Sequence, residues 1–239
     1  MFVGLESSLA RSREKAVAVA LALVALGPAQ VSAVQDWPTY RDARGRFEFR
    51  YPPEYGTPSR GTDDGFRDRV AAVRFSALAG LGGEAAVTKG RVVIDVQAAG
   101  GLYDEITLQL FPDPMRQRLE ALLPPLTIEN FCVILGQQDH LPANSGLDPK
   151  IEDLVRSADR ARNLDPKVVM CNRSGPVVTF HKQATFISGA MNARQHLYGA
   201  VRFLPAPYSS FQFVRGGIEP PAAGALETIT RMVQSFTAK

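Results

Sequence analysis

Residues 37–53 read WPTYRDARGRFEFRYPP. Phe47, Phe49 and Tyr51 alternate with Arg46, Glu48 and Arg50. Period two, with aromatics on one side and charges on the other, predicts a half-buried strand whose rings enter a core. Gly45 supplies the freedom for a turn at Ala43-Arg44-Gly45, just before the strand. Pro52 and Pro53 lack the amide hydrogen that a ladder needs, so pairing is expected to stop there. Trp37 and Tyr40 are expected to anchor the start of the folded chain.

The same residues carry a likeness. Trp37, Tyr40, Asp42, Gly45, Phe47, Phe49, Tyr51 and Pro52 fit the pattern W-x-x-Y-x-[DN]-x-x-G-[FR]-F-x-F-x-Y-P. This resembles the opening of PsbP-like domains of the Mog1/PsbP fold. Those domains usually end on a helix followed by a Ser-Phe or Thr-Phe pair, and this chain ends LETITRMVQSFTAK, with Ser235-Phe236. Many relatives carry a second Trp soon after the Tyr-Pro, where this chain has Tyr55. The resemblance implies an α+β fold, an antiparallel sheet packed with helices as an α/β/α-type sandwich. It also implies a domain that acts mostly through protein contacts.

Upstream of this stretch the pattern changes. Arg11, Arg13 and Lys15 precede an uninterrupted apolar run over residues 16–26, and Val31-Ser32-Ala33 places small residues where a signal peptidase cuts. Residues 1–33 read as a secretory signal peptide, cleaved after Ala33, with 34–239 as one domain. The run falls short of the about 20 apolar residues that a membrane span needs. An uncleaved amphipathic anchor is the competing reading. No cysteine follows the run to accept a lipid, and no second apolar run follows it. No stable membrane span is therefore expected after cleavage, and the location is expected to be periplasmic or secreted.

The 239 residues are 45% hydrophobic and 21% charged, a globular balance, with a net charge of +3. Residues 1–33 carry three bases against two acids, so little of that charge leaves with the leader. The most basic stretch, RDARGRFEFR, is interrupted by Asp42 and Glu48 and alternates along a strand. It reads as the wet side of a sheet, and no nucleic-acid partner is expected.

Export sets the reading of the two cysteines, Cys132 and Cys171. An even pair in an oxidising compartment reads as a disulfide. Closing a loop across their separation of 39 residues is worth about 4 kcal/mol in the loop-entropy picture. Two buried free thiols are the alternative. Neither cysteine has the Cys or His neighbour of a zinc site.

The rest of the chain reads in blocks. Residues 70–78 (VAAVRFSAL) predict a second strand, 79–90 a loop with four glycines, and 92–96 a third strand. Asp113-Pro114 is expected to cap a helix with Leu119, Leu122 and Leu123 on its apolar face, ended by Pro124-Pro125. Residues 127–135 suggest a short helix that carries Cys132. Asp148-Pro149 predicts a cap for a helix over 150–164, with Ile151, Leu154, Val155 and Ala158 inward and Arg156, Asp159, Arg160 and Arg162 solvated. Strands follow at 168–172, 177–186, 194–204 and 209–214, with a turn at Arg173-Ser174-Gly175-Pro176. A closing helix presents Leu226, Ile229, Val233 and Phe236 at helical spacing. This order supports an α+β sandwich.

Candidate chemistry is sparse. His140 sits in a loop beside Pro142 and reads as exposed. His181 and His196 lie on consecutive strands expected to form a hairpin. If His181 faces Gly199, the imidazoles fall on opposite faces of the sheet, and a slip of one residue puts them on the same face. GLGGEA at 80–85 matches a dinucleotide fingerprint but leads towards a strand, not the required helix. Asp63, Asp64 and Asp68 crowd one loop without the spacing of a calcium loop. Asn172-Arg173-Ser174 is a formal glycosylation sequon. No nucleophile elbow, H-E-x-x-H or P-loop occurs. The expected function is that of a non-catalytic binding or accessory domain with a protein partner, no cofactor and no catalytic residues. A metal or small-ligand carrier is one alternative. A hydrolase assembled from His181, His196 and a distant acid is the other.

Overall fold

In the computed structural model, residues 36–61, 69–78, 84–92, 112–188 and 191–239 are described. The expected leader (1–33), the acidic loop with Asp63, Asp64 and Asp68, and all but the first residue of the strand expected at 92–96 lie outside them. Strand β2 (Phe47–Arg50) sits between β1 (Thr39–Arg41) and β10 (Thr237–Ala238) in a three-stranded antiparallel sheet. Phe47 and Phe49 are each 1% exposed, and Gly45 takes the expected left-handed turn conformation at φ 68°. The Asp42 side chain fixes that turn by accepting from the backbone N–H of Arg44 and from Arg46 Nε at 2.7 Å.

A second sheet has seven strands in the order β3-β4-β5-β9-β8-β7-β6, every neighbouring pair antiparallel. Its strands are β3 (Pro58–Arg60), β4 (Arg69–Phe75), β5 (Glu84–Thr88), β6 (Leu164–Ser174), β7 (Val177–Ser188), β8 (Met191–Phe203) and β9 (Ser210–Gly217). The helices are α1 (Asp113–Leu122), α2 (Phe131–Leu135), α3 (Pro149–Arg162) and α4 (Ala225–Gln234).

Alternation along the strands divides the apolar residues into two cores. One packs Val178, Phe180, Leu197 and Val201 of the sheet against Leu119, Phe131, Leu135 and Val155 of α1, α2 and α3. The other packs Val87, Ala200, Phe211 and Phe213 against α4 and the small sheet, through Ile229, Val233, Phe47 and Phe49. The result is an α+β fold in which antiparallel sheet is covered by helices on both faces.

The C-terminal segment interlocks with β2. β10 pairs with β2. The Ser235 hydroxyl accepts from the backbone N–H of Arg50 at 2.8 Å, and the Phe236 ring stacks on Phe47 and Phe211 at 5.6 and 4.7 Å. Trp37 is buried in the same core, and Tyr55 stacks on Phe213 at 5.5 Å.

Three expectations need correction. The loop expected over 79–90 contains β5, which lies between β4 and β9 inside the sheet. Alanines have weak strand propensity, but Ala85 and Val87 stand opposite Phe213 and Phe211, whose bulk fills the space above them. The same strand begins at Glu84, inside the GLGGEA match, where a dinucleotide site would need a helix. Helix α1 starts at Asp113 itself, so the cap position falls to Pro112, which has no side-chain acceptor to offer. Leu154 on α3 is 58% exposed, whereas Val155 is buried and Ile151 packs on the core. Asp148 does cap α3, accepting from the N–H of Lys150 at 2.9 Å.

Candidate functional site

Strands β7 and β8 pair from Val177 with Arg202 to Ser188 with Met191 without a slip. His181 faces Tyr198, and Gln183 faces His196. Residues opposite each other across an antiparallel ladder share a face, as do residues two apart along a strand. His181, Tyr198 and His196 therefore share one face, the face that packs α4 and the small sheet. His181 Nε2 lies 2.7 Å from His196 Nδ1, and the ring planes are 26° apart with centroids at 5.0 Å, so the rings meet edge to edge through these nitrogens. The Tyr198 ring stands edge-on to His181 at 6.2 Å. Each imidazole is 8% exposed. Burial, and then the neighbouring His196, hold the His181 pKa below the ordinary imidazole value.

Met170 of β6 stands opposite His181 and belongs to the same face. It also lines a cleft of about 370 Å³ between β6, β7 and α4, together with Thr179, Thr230 and Gln234. Thr179 Oγ1 meets Thr230 Oγ1 at 2.6 Å and ties α4 to β7. No sequence signal singles out Met170, because its neighbour across the ladder depends on two bulges in β6.

The opposite face holds a second buried polar group. Lys182 is fully buried, and its ammonium donates to Asn163 Oδ1 at 2.6 Å. Burial pushes its pKa down to about 8, against the pull of Asp159. Lys182 is in phase with Phe180 and Ala184, so alternation alone marks it as inward-facing.

His140 departs from its expected exposure. It is 6% exposed, its backbone N–H donates to Asp159 Oδ2 at 3.0 Å, and its Nδ1 lies 2.9 Å from the same oxygen. Its Nε2 is 3.3 Å from the carbonyl oxygen of Ile134. The polar side of α3 is thus partly spent on the loop beside it. Arg156 bridges Asp139 and Glu152 at 2.6 and 2.7 Å and donates to the carbonyl oxygen of Pro142. Solvation of Arg156 and Asp159 is the expectation that fails, because the loop over 139–142 needs donors and acceptors for its backbone.

Cys132 and Cys171 are joined by a disulfide, with Cα atoms 5.8 Å apart, which ties α2 to β6. Among the described residues, no group of three or more His, Cys, Asp or Glu is placed to hold a metal ion, and no helix is long and apolar enough to cross a membrane. A shallow polar cleft of about 420 Å³ lies over the small sheet, where Glu48 pairs with Arg41 and Lys239 at 3.2 and 2.8 Å. No protein-family model matches the chain, and no curated protein matches it by sequence.

Proposed function

We propose that the chain is an exported accessory domain on a PsbP-like scaffold, working by contact with another protein rather than by turnover. One observation carries the scaffold reading. The two segments that resemble PsbP-like domains, far apart in sequence, pack against each other through Ser235 with Arg50 and Phe236 with Phe47. The Cys132–Cys171 bridge supports export, since such bonds persist where thiols are not kept reduced. The contact mode is what the resemblance implies. The test is affinity capture from the native cell envelope with the bridged chain as bait. A single protein retained in stoichiometric amount, and lost when the chain is unfolded, is the expected result. Turnover by the purified chain in a broad hydrolase panel would replace this reading with an enzymatic one.

A second reading is favoured by a specific feature. The convergence of His181 and His196 supports a carrier of a metal or small ligand. It does not favour the hydrolase alternative, because the residues facing the pair across the strands are Met170, Gln183, Tyr198 and Gly217, none of them an acid.

A further inference from the structure

From the placement of Met170, His181 and His196 on one face of three consecutive strands, we infer that they form a site for a soft monovalent metal ion, copper(I). His181 faces Met170 on one side and lies diagonal to His196 on the other. His181 Nε2 and His196 Nδ1 point at each other across 2.7 Å. Two imidazole nitrogens sharing one ion at about 2.0 Å in a trigonal site would stand about 3.5 Å apart. Reaching that distance from 2.7 Å takes about 0.8 Å of separation, shared between the two rings, with the ion replacing the hydrogen that now lies between the nitrogens.

The donor set selects the metal. A thioether and two imidazoles are soft or borderline ligands, and thioether sulfur favours copper(I) over zinc, calcium or magnesium. None of the three donor side chains is an acid. The site therefore brings no negative charge to offset a divalent ion, and both imidazoles are only 8% exposed. The cost of burying an ion rises with the square of its charge, so a single positive charge is the one such a site can hold. Zinc sites usually take four ligands with thiolate or carboxylate among them, and no such group of three or more His, Cys, Asp or Glu is formed among the described residues. Both cysteines are in the bridge, so no thiolate of this chain competes for the ion.

The test is competition for copper(I) against a bicinchoninate complex, without oxygen, in the full chain with its bridge intact. Ascorbate serves as reductant, because a thiol would open the bridge. The expected result is withdrawal of one equivalent of copper(I). His181→Gln and His196→Gln should lower the affinity at least about tenfold, and Met170→Leu by about tenfold. Zinc(II) should not bind in stoichiometric amount. No withdrawal of copper, unchanged affinity in Met170→Leu, or equal binding of zinc(II) would overturn the proposal. A second measurement needs no variant. Silver(I) at one equivalent should shift the imidazole nitrogen resonances of His181 and His196 and the methyl resonance of Met170, and leave those of His140 in place. Shifts at His140 instead of this pair would also overturn it.

Discussion

Gln183, and not Ala184, stands opposite His196 across β7 and β8. That single step of register brings His181 and His196 to the same side of the sheet. It also sets a pH dependence. The His181 pKa is lowered, first by burial and then by His196, so the folded state resists its protonation. The unfolded chain binds the proton more readily. The stability contribution is therefore complete above the ordinary value near 6.5 and is lost as pH falls below it and through the folded pKa. Urea unfolding at pH 7.5 and 5.5 should show a loss of stability in the wild type that His181→Gln reduces. His196→Gln should reduce it less, since burial is the larger cause.

Lys182 behaves in the opposite range. Its pKa is pushed from 10.5 to about 8 by burial. Between those values the unfolded chain holds the proton and the folded chain does not, so stability rises with pH across that window. The full effect is on the order of 3 kcal/mol. Lys182→Met should abolish this rise; at pH 7 the relief of the buried charge is set against the loss of the donor to the buried Asn163 Oδ1, which costs about 1–3 kcal/mol. Denaturant midpoints at pH 7 and 9.5 in both proteins decide it.

The bridge is a third quantity to measure. It closes a separation of 39 residues. Replacing Cys132 and Cys171 together by alanine should cost about 4 kcal/mol. Mass spectrometry without reductant should find the two cysteine peptides linked, and alkylation of either thiol in the untreated chain would contradict the bond.

Gly199 marks a close approach between β8 and β9. A Cβ there would run into the carbonyl oxygen of Phe213 and lie 2.8 Å from Val214 Cα. Both are backbone atoms, so relief requires the strands to part. Gly199→Ala should destabilise the chain by about 2 kcal/mol or more, read as a fall in thermal midpoint. Gly175→Ala meets no atom within 4 Å, but its φ of 56° strains the turn, and about 1 kcal/mol is expected.

Phe236 locks the C-terminal segment onto β2 and β9. It is 3% exposed and stacks on Phe47 and Phe211. Phe236→Ala should cost about 3–5 kcal/mol. Ser235→Ala removes one acceptor for the Arg50 N–H and should cost about 1 kcal/mol. If the two segments are a shared structural unit, the double variant should lose less than the sum, because both substitutions loosen the same contact.

The sequence by itself determined which side chains of a strand face together. The alternation of Phe47, Phe49 and Tyr51, of Phe211 and Phe213, and the stripe of Ile229 and Val233 on the last helix all appear in the cores where periodicity put them. Asp148 before Pro149 was enough to place the start of α3, because a cap is a local hydrogen bond. Only the tertiary structure decided how elements meet. β5 is a strand because Phe211 and Phe213 lie above its small side chains. His140 is buried because Asp159, a helix away, accepts from it. The histidine pair exists because of one register among two that the local pattern allowed. Periodicity is a property of neighbouring residues, whereas register and burial are set by the sum of contacts over a whole sheet. The Met170, His181 and His196 face is written only in that second kind of information.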